Sequence, residues 1–135
     1  MPYPISDIRC IGVDTALILK SAGIRTTGSL LSQAKTPKQR LKIAEKVGIG
    51  DKRVLDWVTA ADRMRVKGVG WEYAELLCAA GVKTAKELKF RNPRKLVDQM
   101  TEANAKRNLV RLLPSVKAVE RWIENAKKLP PVIRY

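Results

Sequence analysis

The sequence predicts an all-α protein made of two tandem copies of one small helical unit. Three observations carry this reading. No segment alternates apolar and polar residues over the length of a strand, helix start and stop signals recur along the chain, and the first half aligns on the second.

The alignment sets Gly23 over Gly81. Residues 8–31 then lie on 66–89, so that Ile11, Gly12, Ala16, Leu19, Ala22, Gly23, Thr26 and Leu30 meet Val69, Gly70, Ala74, Leu77, Ala80, Gly81, Thr84 and Leu88. With a small shift, Thr36-Pro37 matches Asn92-Pro93. VLDWVTAA from Val54 matches VERWIENA from Val119, which sets Trp57 on Trp122. The second copy is longer before its tryptophan, through TEANAKRNLVRLLPS. The units are 1–63 and 64–135. Units this small are marginal alone, so the copies are expected to pack together.

The elements follow in order. Asp14 and Thr15 open a helix that Gly23 closes, glycine being free to take positive φ. Thr26 caps the next helix, and Thr36 stands before a proline at the first helical position of a third. Val54, Trp57, Val58 and Ala61 form the apolar stripe of a fourth. In the second copy Gly81 closes, Thr84 caps with Glu87 at capping-box spacing, Asn92 precedes Pro93, and Ser115 caps the last helix. The stripe of that helix is Val119, Trp122, Ile123 and Ala126. Leu19 and Leu77, four residues before their closing glycines, belong to the core. The two tryptophans sit on apolar stripes and read as core residues rather than base-stacking platforms.

The 135 residues include 27 lysines and arginines against 13 acids, a net charge of +14 with a pI near 10.2. Residues 1–63 carry 11 basic and 6 acidic side chains (+5) and residues 64–135 carry 16 and 7 (+9), so the excess is not confined to a tail. Such a balance favours a polyanionic partner, nucleic acid ahead of an anionic membrane. There is no histidine, and Cys10 and Cys78 stand far apart, which excludes the usual zinc spacings. The thiols are expected to be buried in a reducing compartment. With no phosphate-binding loop of the P-loop type and no paired nucleophile and base, neither catalysis nor a cofactor or metal is expected. The start, MPYPISDIRC, lacks the pattern of a signal peptide, and no apolar run approaches membrane-spanning length. A cytoplasmic protein with no membrane partner is the expectation.

Two glycine–apolar–glycine corners are complete: Gly48-Ile49-Gly50, followed by Asp51-Lys52-Arg53, and Gly68-Val69-Gly70, preceded by Lys67. Cys10-Ile11-Gly12 lacks the first glycine. A helix, such a turn and a second helix make a helix-hairpin-helix. Its first glycine supplies positive φ and its second lets the backbone come close. The turn aims unbonded N–H groups and the positive dipole end of the second helix outward, where a phosphate can dock without base readout. Gly70 is followed by Trp71-Glu72 and Gly12 by Val13-Asp14. A carboxylate there satisfies the helix start from within and repels phosphate. Gly68–Gly70 therefore reads as an architectural corner. Gly48 and Gly50 with Lys52 and Arg53 are the better phosphate site, although Asp51 is placed to cap that helix itself.

Across nearly its whole length, and most specifically from Val66 to Leu129, the chain resembles an uncharacterised bacterial family built from paired helix-hairpin-helix units. GVGWEYAELLCAAGVKTAKEL, NPRKLVDQM, NLVRLLPS and VERWIENAKKL carry the resemblance. AGIRTTGSLL and AGVKTAKEL are also similar to the hairpin region of the RNA polymerase alpha subunit's C-terminal domain. The resemblance implies SAM-domain-like helical bundles. Through the wider superfamily it implies sequence-nonspecific DNA binding, by hairpin amides and neighbouring basic side chains, although some members serve only protein contacts.

Further positive charge lies on Lys35, Lys38, Lys42 and Lys46, on Lys83, Lys86 and Lys89, and on Lys106, Arg107 and Arg111. The expected function is a nucleic-acid-binding module, with DNA the expected partner. Its phosphate contacts would come from Gly48, Gly50, Lys52, Arg53, Lys67, Gly68, Gly70, Lys83, Lys106, Arg107 and Arg111. The alternative is an adaptor whose basic surface meets an acidic protein partner. The oligomeric state is open.

Overall fold

In the computed structural model, which describes residues 3–135, a 3₁₀ turn (Ile5–Asp7) precedes eight α-helices. They are α1 (Val13–Ser21), α2 (Thr27–Gln33), α3 (Pro37–Val47), α4 (Asp51–Met64), α5 (Trp71–Ala79), α6 (Ala85–Leu88), α7 (Pro93–Arg107) and α8 (Val116–Lys127). Among the described residues there is no strand, only an isolated antiparallel bridge between Pro4 and Thr26.

The helix starts fall into two kinds. Five are closed by a side chain that accepts from the N3 amide: Thr26, Thr36, Thr84, Asn92 and Ser115, at 3.0–3.2 Å. Thr84 and Glu87 form the expected capping box, and Thr36 with Gln39 forms another. The other three, α1, α4 and α5, begin at Gly12, Gly50 and Gly70, and no side chain caps them. Asp51 is the first helical residue of α4 and does not close its start. Gly23 and Gly81 end α1 and α5 in the left-handed region. The next amides, of Ile24 and Val82, return to Leu19 and Leu77 at 2.9 and 2.8 Å.

One continuous core runs through the chain. Leu19 and Leu77 are fully buried, and Trp57 and Trp122 are buried on the stripes that predict them. Helices α2 and α3 pack on α4; α6 and α7 pack on α8; and α4 also packs on α5. Covered from both sides, α4 buries even Asp62 and Arg63.

Those two side chains stitch α4 to the second half of the chain. Arg63 donates from Nε to the Ala74 carbonyl (2.8 Å) and from Nη1 to that of Lys83 (2.9 Å). Asp62 Oδ2 accepts the Ala85 amide at 2.8 Å, while Arg65 donates to Oδ1 from Nε at 2.9 Å and from Nη2 at 2.6 Å. Burial lowers the pKa of the Arg63 guanidinium and neighbouring Cys78 and Glu75 oppose this; the backbone partners hold the charge in place. In the alignment, Lys83 and Ala85 correspond to Arg25 and Thr27. There the Arg25 carbonyl accepts the Ile5 amide and the Thr27 amide donates to the Tyr3 carbonyl, both at 2.8 Å. The N-terminal backbone thus does at one place what two buried side chains do at the other. Arg40, also buried, ties the C-terminal segment back: Nη1 donates to the Lys35 carbonyl and Nη2 to that of Arg134, both at 2.8 Å.

The expectation of two buried thiols is corrected. Cys10 is exposed and Cys78 half-buried. Cys10 stands in the turn before Gly12, and Cys78 occupies the position aligned with Lys20, off the apolar stripe of its helix.

Candidate nucleic-acid interface

At the α3–α4 corner, Gly48 takes φ +70° and its amide returns to the Ala44 carbonyl, which also accepts from Ile49 at 3.1 Å. Gly50 then turns the chain into α4. The start of α4 has no side-chain cap, and Lys52 and Arg53 on its first turn are exposed. The positive dipole end and two cations therefore lie together. Asp51 shares that turn and is exposed as well. Lys35, Lys38, Lys42 and Lys46 are exposed on and just before α3, the last three in an i, i+4 row leading to the same corner.

The α4–α5 corner is built differently. Gly68 takes φ +93°, and a Cβ placed on it would lie 3.0 Å from Nε1 and 3.4 Å from Cδ1 of Trp122. Val69 is fully buried behind it. Glu72, on the first turn of α5, pairs with Arg9 at 3.6 Å, with both side chains exposed. The corner is packed against an indole on one side and carries a carboxylate on the other, as an architectural joint would. Beside it an open groove of about 1030 Å³ runs between Lys67, Tyr73, Leu112, Ser115, Arg121 and Trp122. Tyr73 and Trp122 meet there at 5.1 Å between centroids.

At the third corner Cys10 lacks a positive φ; Asn108 is the one non-glycine residue with positive φ among those described. Cys10 is exposed as a residue, yet the desolvation its thiol meets in the turn raises its pKa, with the Glu75 carboxylate adding to the effect.

The remaining candidates stand apart. Lys83 is exposed beside the Thr84 cap, its carbonyl held by Arg63 and its amide donated to Glu87 at 3.2 Å. Lys106 and Arg107 occupy the last turn of α7, where cations complement the helix dipole, and Lys106 pairs with Glu102 at 3.7 Å. Arg111 is exposed in the connection to α8. The 14 residues of α4 span roughly 20 Å at 1.5 Å per residue, which separates the two complete glycine corners.

Sequence reasoning missed the α6–α7 connection. Phe90, the only phenylalanine of the chain, is 75% exposed there between Lys89 and Arg91. Its signal was available as a lone aromatic inside the run KELKFRNPRK.

These elements place the protein among all-helical domains with glycine-opened helix starts and a strongly basic surface. The chain belongs to the family described as Domain of unknown function (DUF4332), which matches residues 9–129. No curated protein and no solved structure matches it. No described helix is long and apolar enough to cross a membrane.

Proposed function

We propose that the protein binds nucleic acid without sequence preference, with DNA the first substrate to test, and that the α3–α4 corner is its principal phosphate contact. The observation that carries the reading is the uncapped, glycine-opened start of α4 with Lys52 and Arg53 exposed on its first turn, on a chain of net charge +14. In this reading the corners are helix-hairpin-helix turns, the chain is a pseudo-repeat divided near residue 63, and the lysine row of α3 extends the contact along a phosphate backbone. Contacts of this kind fix orientation and carry no base information. Replacing Lys52 and Arg53 together by alanine should weaken binding about equally on duplexes of unrelated sequence. It should also flatten the salt dependence by about one to two units of slope. Strong binding untouched by this change moves the contact to the α3 row, and preference for one sequence contradicts the mechanism.

A second reading, a protein-interaction adaptor, is favoured by one face of α1. Val13, Leu17 and Ile18 are 79%, 60% and 41% exposed. Leu17→Glu should leave nucleic-acid binding intact and abolish only a protein contact made through that face.

A further inference from the structure

The segment from Lys83 to Lys95 carries six basic side chains, Lys83, Lys86, Lys89, Arg91, Arg94 and Lys95, and a single carboxylate, Glu87. That carboxylate is exposed, but one of its oxygens is taken up by the start of α6. Its Oε2 accepts from the amides of Lys83 and Thr84 and from the Thr84 hydroxyl at 3.1–3.2 Å. The segment's surface is therefore strongly net positive, six basic side chains against one acid, and Phe90 stands in its midst.

Nothing in the fold accounts for Phe90. Its ring is three-quarters exposed and takes no part in the core. The aligned position in the first half is Ser32, also exposed, and the local frame closes there without an aromatic. That frame matches in both places. Gln33 Nε2 donates to the Gly23 carbonyl at 3.5 Å, and Arg91 Nη2 donates to that of Gly81 at 3.0 Å. Arg91 also donates from Nη1 to Gln99 Oε1 at 3.2 Å, so its guanidinium is held by the frame next to Phe90 in the chain. The Lys89 ammonium lies over the Phe90 ring, 5.2 Å from its centroid. Arg94 and Lys95 are exposed on the first turn of α7, which Asn92 caps. An exposed ring flanked by cations meets the two requirements of single-strand binding: a π-face for an unpaired base and positive charge for the phosphates on either side of it. Duplex DNA keeps its bases stacked inside and cannot use such a ring without opening.

We infer that the α6–α7 connection is a single-strand site, in which Phe90 stacks on one unpaired base while Lys86, Lys89, Arg94 and Lys95 hold the adjoining phosphates. This deepens the nucleic-acid reading above and rests on it.

Anisotropy titrations of the full chain with a labelled 20-nucleotide oligo(dT) and with a 20-base-pair duplex test it. A stacked base is worth roughly a 5- to 150-fold change in affinity on truncation to alanine. Phe90→Ala should weaken oligo(dT) binding by that range and change duplex binding less than about twofold. Phe90→Trp should retain oligo(dT) binding, and its added fluorescence should be quenched on saturation. If the wild type binds neither ligand, the nucleic-acid reading itself falls. If it binds both and Phe90→Ala leaves oligo(dT) unchanged, or weakens both ligands equally, that reading stands and the single-strand site is overturned. Loss of binding to phosphatidylserine-containing vesicles in Phe90→Ala, with oligo(dT) binding intact, would also overturn it and assign the ring to a membrane surface.

Discussion

Replacing Gly68 by alanine separates the two reasons for a glycine at that corner. Any L-residue at φ +93° is strained by about 1–2 kcal/mol. The added Cβ also meets the Trp122 indole at 3.0 Å, a contact the ring must yield to. Trp122 is buried and packed against Tyr73, so its displacement carries an overpacking cost of about 1–3 kcal/mol. Gly48 is the internal control. It has φ +70°, and a methyl group added there would meet nothing within 4 Å, so Gly48→Ala should show the backbone cost alone. Chemical unfolding followed by tryptophan fluorescence should place Gly68→Ala about 2–5 kcal/mol below wild type and Gly48→Ala about 1–2 kcal/mol below. Trp122→Phe should destabilise the Gly68→Ala protein less than it destabilises wild type, because the smaller ring makes room for the methyl group. Equal losses at the two glycines, or additive effects of the double change, would refute the packing argument.

Leu77→Ala should cost on the order of 2–5 kcal/mol, because a fully buried side chain is lost; an unchanged melting temperature would remove it from the core. Asp62→Ala should cost about 3–5 kcal/mol, read by denaturant midpoint, because the Ala85 amide and Arg65 lose their buried acceptor; a loss below about 1 kcal/mol would show that neighbouring groups compensate. In a Cys78→Ser background Cys10 should alkylate more slowly at about pH 8 than after unfolding, despite its exposure. A raised pKa leaves less thiolate in the folded protein, and equal rates would contradict this.

The helices were legible because their ends are chemically signed. Thr26, Thr36, Thr84, Asn92 and Ser115 each offer a capping oxygen, and Gly23 and Gly81 close their helices where the pattern places them. The tryptophan stripes were legible because periodicity reports which face is buried. What periodicity cannot report is burial from a second side. Asp62 and Arg63 lie just past the Val54–Ala61 stripe and belong to no apolar pattern, yet α5 and α6 cover them and give them backbone partners. The cysteines misled for the opposite reason: composition favours burial of thiols, whereas their positions off the stripes do not. At the candidate site, the Gly48–Gly50 corner could be located from spacing. The Arg9–Glu72 pair could not, because it joins segments that only the packing of the first turn against α5 brings together. Phe90 was overlooked because a single aromatic has no period, and its exposure became visible only in three dimensions.

Phosphate neutralisation by an exposed basic surface is the central claim, and the salt dependence of duplex binding measures it directly. With about five phosphates neutralised, log K against log salt should fall with a slope of roughly −4, the same for duplexes of unrelated sequence. A flat response, or no binding at micromolar protein in low salt, would contradict that claim and leave the exposed face of α1 as the working surface of the molecule.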